Sequence, residues 1–143
     1  APYDVHHRNL YEVHQRVAET FVKGRVALAG DAAHVNNPLG GMGMNGGIHD
    51  GLNLAEKLVR IWRGEGDGAA LFAQYDRQRR PAAQKYVQAQ SIQNKELLQE
   101  KDPAKRRARL DALAATAADA ARCRDYLLRA SLIAMVREAN EAA

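Results

Sequence analysis

The sequence predicts a mainly α fold of about five helices with one or two strands, and three observations lead there. Alanine together with Leu, Glu, Gln, Arg and Lys dominates the second half of the chain, and these residues form helices most readily. From residue 45 onward apolar side chains recur at three- and four-residue steps, the spacing of a helix face. Only Arg25–Ala29 is short, apolar and glycine-bounded in the manner of a strand buried on both faces. An aromatic content of 6% argues against a jelly roll or barrel.

The elements follow in order. Val5 to Val13 alternates loosely and predicts a weak strand. Val17, Ala18 and Phe21 fall at helical spacing, and Gly24 stands where a left-handed C-cap would, so Gln15–Lys23 reads as a short helix. After the Arg25–Ala29 strand comes a loop from Gly30 to about Met44, rich in Gly, Asn and Pro. Ile48, Leu52, Ala55, Val59 and Trp62, joined by Leu58, predict a helix over Asn45–Arg63 with one buried apolar stripe. Ala69–Arg79 is a further helix burying Leu71, Phe72 and Tyr75. Pro81 either kinks it or opens the next helix, Ala82 to about Gln99. Asp102-Pro103 is an N-cap followed by proline at the first helical position. Asp119 caps the last helix, which buries Leu127, Leu128, Leu132, Ile133 and Val136 and frays from Glu138 to Ala143.

A chain of 143 residues, 46% hydrophobic, suits one globular domain, with a strand-loop-helix part over 1–68 and a helical segment over 69–143. Its first residue is Ala1 rather than Met, which suggests a piece of a longer product. The net charge of +4 resides in the run Lys101–Arg109, too narrow for phosphate tracking, so no nucleic-acid partner is expected. No apolar run approaches the ~20 residues of a membrane span, and no signal peptide opens the chain. The lone Cys123 suggests a reducing compartment. These features together predict a cytoplasmic location. Adjacent His6 and His7 would point to opposite faces of a strand, and with His14 they have no acid or cysteine at ligand spacing, so no metal site is expected. Tyr75 and Tyr86 read as core residues.

The chemistry concentrates in Gly24–Leu54, GRVALAGDAAHVNNPLGGMGMNGGIHDGLNL. A strand delivers Asp31 at its C-terminal end, where open α/β sheets present groups to ligands. That carboxylate accepts hydrogen bonds, either from a ligand hydroxyl or from the turn it caps. Gly41, Gly43 and Gly46 spell G-x-G-x-x-G, but eleven residues separate Ala29 from Gly41, so this is not the dinucleotide fingerprint, which follows its strand at once. The glycines still leave backbone N–H groups accessible at a helix N-terminus, where an anionic or electron-rich ligand edge is stabilised. His34 reads as shaping the loop, and His49 and Asp50 as surface or packing residues, with Asp50 complementing the helix dipole.

The string GDAAH, then Pro38, then GGMGMNGGIHDGLNLAEKL resembles the second FAD-binding motif of the flavin-dependent aromatic monooxygenases of the para-hydroxybenzoate hydroxylase type. Tyr11 to Phe21 and Tyr75-x-x-x-Arg79-Arg80-Pro81 resemble that family more loosely. The resemblance implies a piece of an α/β FAD-binding monooxygenase fold, its C-terminal third or so. It also implies FAD as cofactor, NAD(P)H as reductant and hydroxylation of a small aromatic substrate with O2. By the same resemblance Gly30 and Asp31 form the GD pair, with Asp31 on a ribityl hydroxyl. Pro38, Gly40 and Gly41 would shape the loop beside the isoalloxazine ring, and backbone near Gly43, Met44 and Asn45 would face the pyrimidine edge. A glutamine is common in the family where Met42 stands here, so any contact made by that side chain is absent and Met42 packs instead. The rival reading is a self-standing helical interaction module, dimeric through the amphipathic helices after Ala69.

Overall fold

The computed structural model of the chain describes residues 4, 6–10, 12–39 and 41–142. Two small antiparallel ladders precede an array of helices. Strand β1 (Arg16–Val17) pairs with β4 (His34–Val35), and β2 (Val22–Lys23) pairs with β3 (Val26–Ala27). A 3-10 turn, Gly30–Ala32, lies between β3 and β4. Helices α1 (Met42–Trp62) and α2 (Gly68–Ala82) follow, then a π-helical stretch, Ala83–Gln88. Helices α3 (Ala89–Gln99), α4 (Pro103–Ala118), α5 (Ala120–Ala130) and α6 (Ile133–Glu141) complete the described residues. The helical character agrees with the sequence, while the strand content differs: four two-residue strands stand where one or two longer ones were expected.

The amino-terminal expectations need correction. Val5 and Tyr11 of the weak strand lie outside the described residues, and the described residues of that span form no strand. Gln15–Lys23 is not a helix, because it contributes β1 and β2. Gly24, at φ +61°, instead holds the first central position of the two-residue turn between β2 and β3. A helix C-cap and a hairpin turn call for the same left-handed glycine, and the contacts that decide between them are nonlocal. Val22 pairs with Ala27, Lys23 with Val26, and the Leu28 N–H donates to the Phe21 carbonyl at 2.8 Å. Arg25–Ala29 contributes only the two residues of β3, and Val26 is 63% exposed rather than buried on both faces.

Helix α2 fastens this hairpin to the helical array. The Tyr75 hydroxyl donates to the Leu28 carbonyl at 2.7 Å, and Asp76 Oδ1 accepts from the Phe21 N–H at 2.6 Å. Phe21, Ala33, Tyr75 and Ala83 form one buried cluster; Ala82, Tyr86, Val87, Leu132 and Met135 form another. Burial, with the nearby Asp50 charge adding to it, raises the Tyr75 hydroxyl well above its ordinary range, so it serves as a permanent donor.

Helix α1 begins at Met42, three residues before the predicted start, with Gly41 left-handed at its N-cap (φ +67°). Its faces are inverted relative to the prediction. Ile48, Leu52, Val59 and Trp62 are exposed, the last at 91%, whereas Gly46, Asp50 and Lys57 are buried. Period alone identifies a stripe that wants cover without saying what covers it, and within this chain α2 covers the polar stripe. Lys57 is 2% exposed, and its ammonium reaches the Asn53 carbonyl only at 3.4 Å. No carboxylate of the described residues lies within 4.0 Å of it. Burial therefore lowers its pKa, with Glu56 opposing and Arg60 and Arg79 assisting. Lys57→Met is expected to raise the melting temperature by about 2–5 °C, because an uncompensated buried charge is removed. The wild-type chain should also gain stability as pH rises from the lowered folded pKa of Lys57 toward 10.5, where the unfolded chain holds the extra proton, and Lys57→Met should lose that slope. Thermal melts across alkaline pH check both expectations.

Pro81 stays inside the last turn of α2, and the chain passes directly into the π stretch. Asp102 caps α4 as expected, accepting from the Ala104 N–H at 2.8 Å with Pro103 at the first helical position. Asp119 caps α5 through the Ala121 and Arg122 N–H groups, both at 3.0 Å. The predicted final helix divides at Ser131 and Leu132, the latter left-handed at φ 61°. That break turns Leu132 and Met135 into the core and leaves Leu127 and Ile133 exposed, with Leu128 and Val136 half-buried. Glu138 is not frayed: it sits in α6 and accepts from the Tyr86 hydroxyl and, at 2.5 Å, from Lys85. Ala143 lies outside the described residues.

Candidate functional site

The 3-10 turn carrying Gly30 and Asp31 rests against the start of α1. Gly30 is left-handed at φ +60°, and a Cβ added to Gly47 would lie 3.2 Å from the Gly30 Cα, so the two elements meet backbone to backbone. Asp31 itself is exposed. What holds the turn is Asp50, on the third turn of α1 and 0% exposed: its Oδ2 accepts from the Gly30 N–H at 3.1 Å and from His34 Nε2 at 2.7 Å. Its Oδ1 accepts from Arg79 Nε at 2.7 Å. The Asn36 side-chain amide donates to His34 Nδ1 at 3.0 Å, which leaves the ring proton on Nε2, toward Asp50. Burial alone would raise the Asp50 carboxyl, but the His34 hydrogen bond and the Arg79 guanidinium outweigh it, so the group titrates below its usual 3.8.

His34 thus shapes the loop, as the sequence suggested. Asp50 is not the surface complement to the helix dipole that was one of its expected roles: it is buried, and beyond packing it is the anchor that joins β4, the glycine turn, α1 and α2. Arg79 was legible only as part of a motif. The signal for this network was the second stripe on α1: Gly46, Asp50, Asn53 and Lys57 recur at helical spacing as faithfully as the apolar residues do. His49 lies beside it, in a hollow of about 200 Å³ lined also by Arg79, Val136 and Asn140. Burial, then the Arg79 charge, lowers its pKa, with Asp50 opposing.

Of the sequence-predicted site residues, Asp31, Pro38, Gly41, Met44 and Asn45 are exposed, Gly30 and Gly43 are half-buried, and Gly40 lies outside the described residues. Gly43 packs on Asn36, where an added Cβ would sit 3.8 Å from the amide nitrogen. The helix entrance is undressed: Gly41 has no side chain with which to cap it, and the first turn holds no acid. Asn45 turns back to donate to the Gly41 carbonyl at 3.1 Å. The Asn36 Oδ1 is buried without a partner among the described residues. Such an arrangement suits an acceptor-rich, partly anionic ligand edge at the amides and a hydroxyl donor at Asp31. It forms an open face; a hollow of about 440 Å³ lies elsewhere, between α3, α4 and α5. Met42 packs against the cluster of Ala82, Tyr86, Val87, Leu132 and Met135, in line with its expected packing role.

The chain is 41% identical over 104 residues to para-nitrophenol 4-monooxygenase of Pseudomonas sp. (strain WBC-3), an alignment covering 73% of this chain and 26% of that enzyme. It is 45% identical over 84 residues to 3-(3-hydroxy-phenyl)propionate/3-hydroxycinnamic acid hydroxylase of Mycolicibacterium smegmatis, covering 59% of this chain and 15% of the relative. The crystal structure of p-nitrophenol 4-monooxygenase from Pseudomonas putida DLL-E4 superposes with a TM-score of 0.74 at 36% identity, over 84% of this chain and 31% of that one. The chain therefore spans only a quarter to a third of the length of these two nitrophenol enzymes, and its fold is consistent with a piece of theirs. Among the described residues no helix is long and apolar enough to cross a membrane. The model of the family described as FAD binding domain matches residues 1–90, and to that family the chain belongs.

Proposed function

We propose that these residues supply one wall of the flavin site in a longer FAD-dependent monooxygenase that hydroxylates a small aromatic substrate with O2 and NAD(P)H. The observation that carries the reading is the exposed Asp31 carboxylate, braced through Gly30 and Asp50 beside a helix entrance that has neither a capping side chain nor an acid. The donor set fits FAD. Asp31 would accept from a ribityl hydroxyl, and the amides near Gly43, Met44 and Asn45 would face the pyrimidine edge, where the positive end of α1 stabilises negative charge. Pro38, Gly40 and Gly41 would bound the ring. When bound, FAD supplies the redox chemistry between NAD(P)H and O2; the chain's own residues orient it and stabilise charge at one edge. In this reading residues 1–68 form the flavin wall and 69–143 the helical buttress, in a cytoplasmic enzyme. The exposed stripe Ile48, Leu52, Val59 and Trp62 supports a larger protein, since apolar faces of this kind call for cover.

In the FAD-loaded parent protein, Asp31→Ala should weaken FAD about 10- to 100-fold, the worth of a charge-assisted hydrogen bond, whereas Asp111→Ala on exposed α4 should leave affinity unchanged. Fluorescence titration with FAD measures both, and equal affinities in the two variants would remove Asp31 from the site. The 143-residue chain alone should bind FAD weakly or not at all; a stoichiometric yellow spectrum would contradict that. The alternative, a self-standing interaction module, draws on the groove of Leu97, Leu110, Leu113 and Tyr126 and on α4, which buries none of its residues. Concentration-dependent association that Leu110→Glu abolishes would favour it.

A further inference from the structure

Among the described residues, the loop that the flavin reading sets beside the ring has almost no backbone pairing of its own. Its internal tie is the Gly41 N–H on the Pro38 carbonyl at 3.2 Å. Side-chain amides, from the loop and from elsewhere, do the remaining work. Asn37 is buried; its Oδ1 accepts from the Leu39 N–H at 3.1 Å, and its Nδ2 donates to Gln15 Oε1 at 2.8 Å and to the Ser91 carbonyl at 3.1 Å. Asn94 Nδ2 donates to the Leu39 carbonyl at 3.2 Å, and Asn94 Oδ1 accepts from Gln90 at 3.1 Å. Gln15 Nε2 donates in turn to the Gln88 carbonyl at 2.9 Å. Both backbone polar groups of Leu39 are therefore held by asparagine side chains, one on the loop and one on α3, while Gln15, just ahead of β1, holds Asn37 from the other side.

We propose that Asn94 is a positioning residue: through the Leu39 carbonyl, and alongside the Asn37 bridge to Ser91, it fixes Pro38 and Leu39 at the distance the flavin ring requires. The proposal rests on the flavin reading given above. No other side chain of the described residues donates a hydrogen bond to the Leu39 carbonyl, so loss of the Asn94 donor leaves that group unanchored.

The test uses the FAD-loaded parent protein with Asn94→Asp, which keeps shape and the acceptor for Gln90 but loses the donor, and Asn94→Gln, which returns a donor. Hydrogen exchange at residues 36–44 should quicken about 5- to 20-fold in Asn94→Asp, with exchange in the rest of α1 unchanged, as expected for losing about one hydrogen bond locally. The visible absorption of the bound flavin should shift in the same variant, and Asn94→Gln should restore both readings. Exchange that is unchanged in Asn94→Asp, or that speeds throughout the protein, overturns the positioning role. Faster loop exchange with an unmoved flavin spectrum overturns instead the placement of this loop beside the ring.

Discussion

Asp50→Ala is expected to cost about 3–5 kcal/mol of folding stability, because Arg79 then remains buried with its charge unanswered while His34 and the Gly30 N–H lose their acceptor. That is a large share of the roughly 5–15 kcal/mol that keeps a typical domain folded. Chemical denaturation of the wild type and the variant measures it. The double variant Asp50→Ala/Arg79→Met should recover part of the loss, since the stranded guanidinium goes with its partner; a loss below about 1 kcal/mol in Asp50→Ala would show that the network is not anchoring the turn. The pH dependence has a definite sign. Asp50 titrates lower in the folded chain than its unfolded 3.8, so its stabilisation is complete above that value and disappears as pH falls through the lower folded one.

The second large effect lies four residues earlier. A Cβ on Gly46 would stand 2.9 Å from Val87 Cγ2 and 3.2 Å from His34 Cε1, both in buried, well-filled surroundings. Gly46→Ala should therefore destabilise by about 1–3 kcal/mol despite alanine's better helix propensity. Gly51→Ala is the control, because nothing lies within 4 Å of its added Cβ, and it should stabilise by roughly 0.5–1 kcal/mol. Thermal melts of the pair separate crowding from propensity; if both shift the same way, the close packing of α1 on the π stretch is not what Gly46 serves.

The contrast between these two helical glycines shows what the sequence could and could not convey. Caps and turn residues act within three or four positions, which is why Asp102, Asp119 and the glycine loop were legible. Gly24 was assigned to the wrong element because the same left-handed residue closes a helix or a hairpin, and the choice depended on β3 pairing with β2. On α1 both stripes had the right period, yet hydrophobicity named the wrong one as inward. In the chain at hand the inward face is the one that supplies Asp50 to a histidine 16 residues before it and an arginine 29 residues after it. A carboxylate's worth in such a network depends on partners that no local window contains. Asp31, by contrast, was singled out by its place after a predicted strand and by its motif, both of them local signals.

The π stretch from Ala83 to Gln88 has a consequence for how this region can change over time. Wider turns of this kind accommodate an additional residue without unwinding the rod, and an α-helix advances about 100° per residue. Removing one residue there would let the stretch close into ordinary α-helix and keep Ser91 and Asn94 on the side that meets Asn37 and Leu39, whereas the same deletion in the regular turns of α3 ahead of Asn94 would swing its side chain about 100° off Leu39. A single-codon deletion is thus absorbed within Ala83–Gln88 and disconnects the loop from its support only when it falls a turn later, in α3.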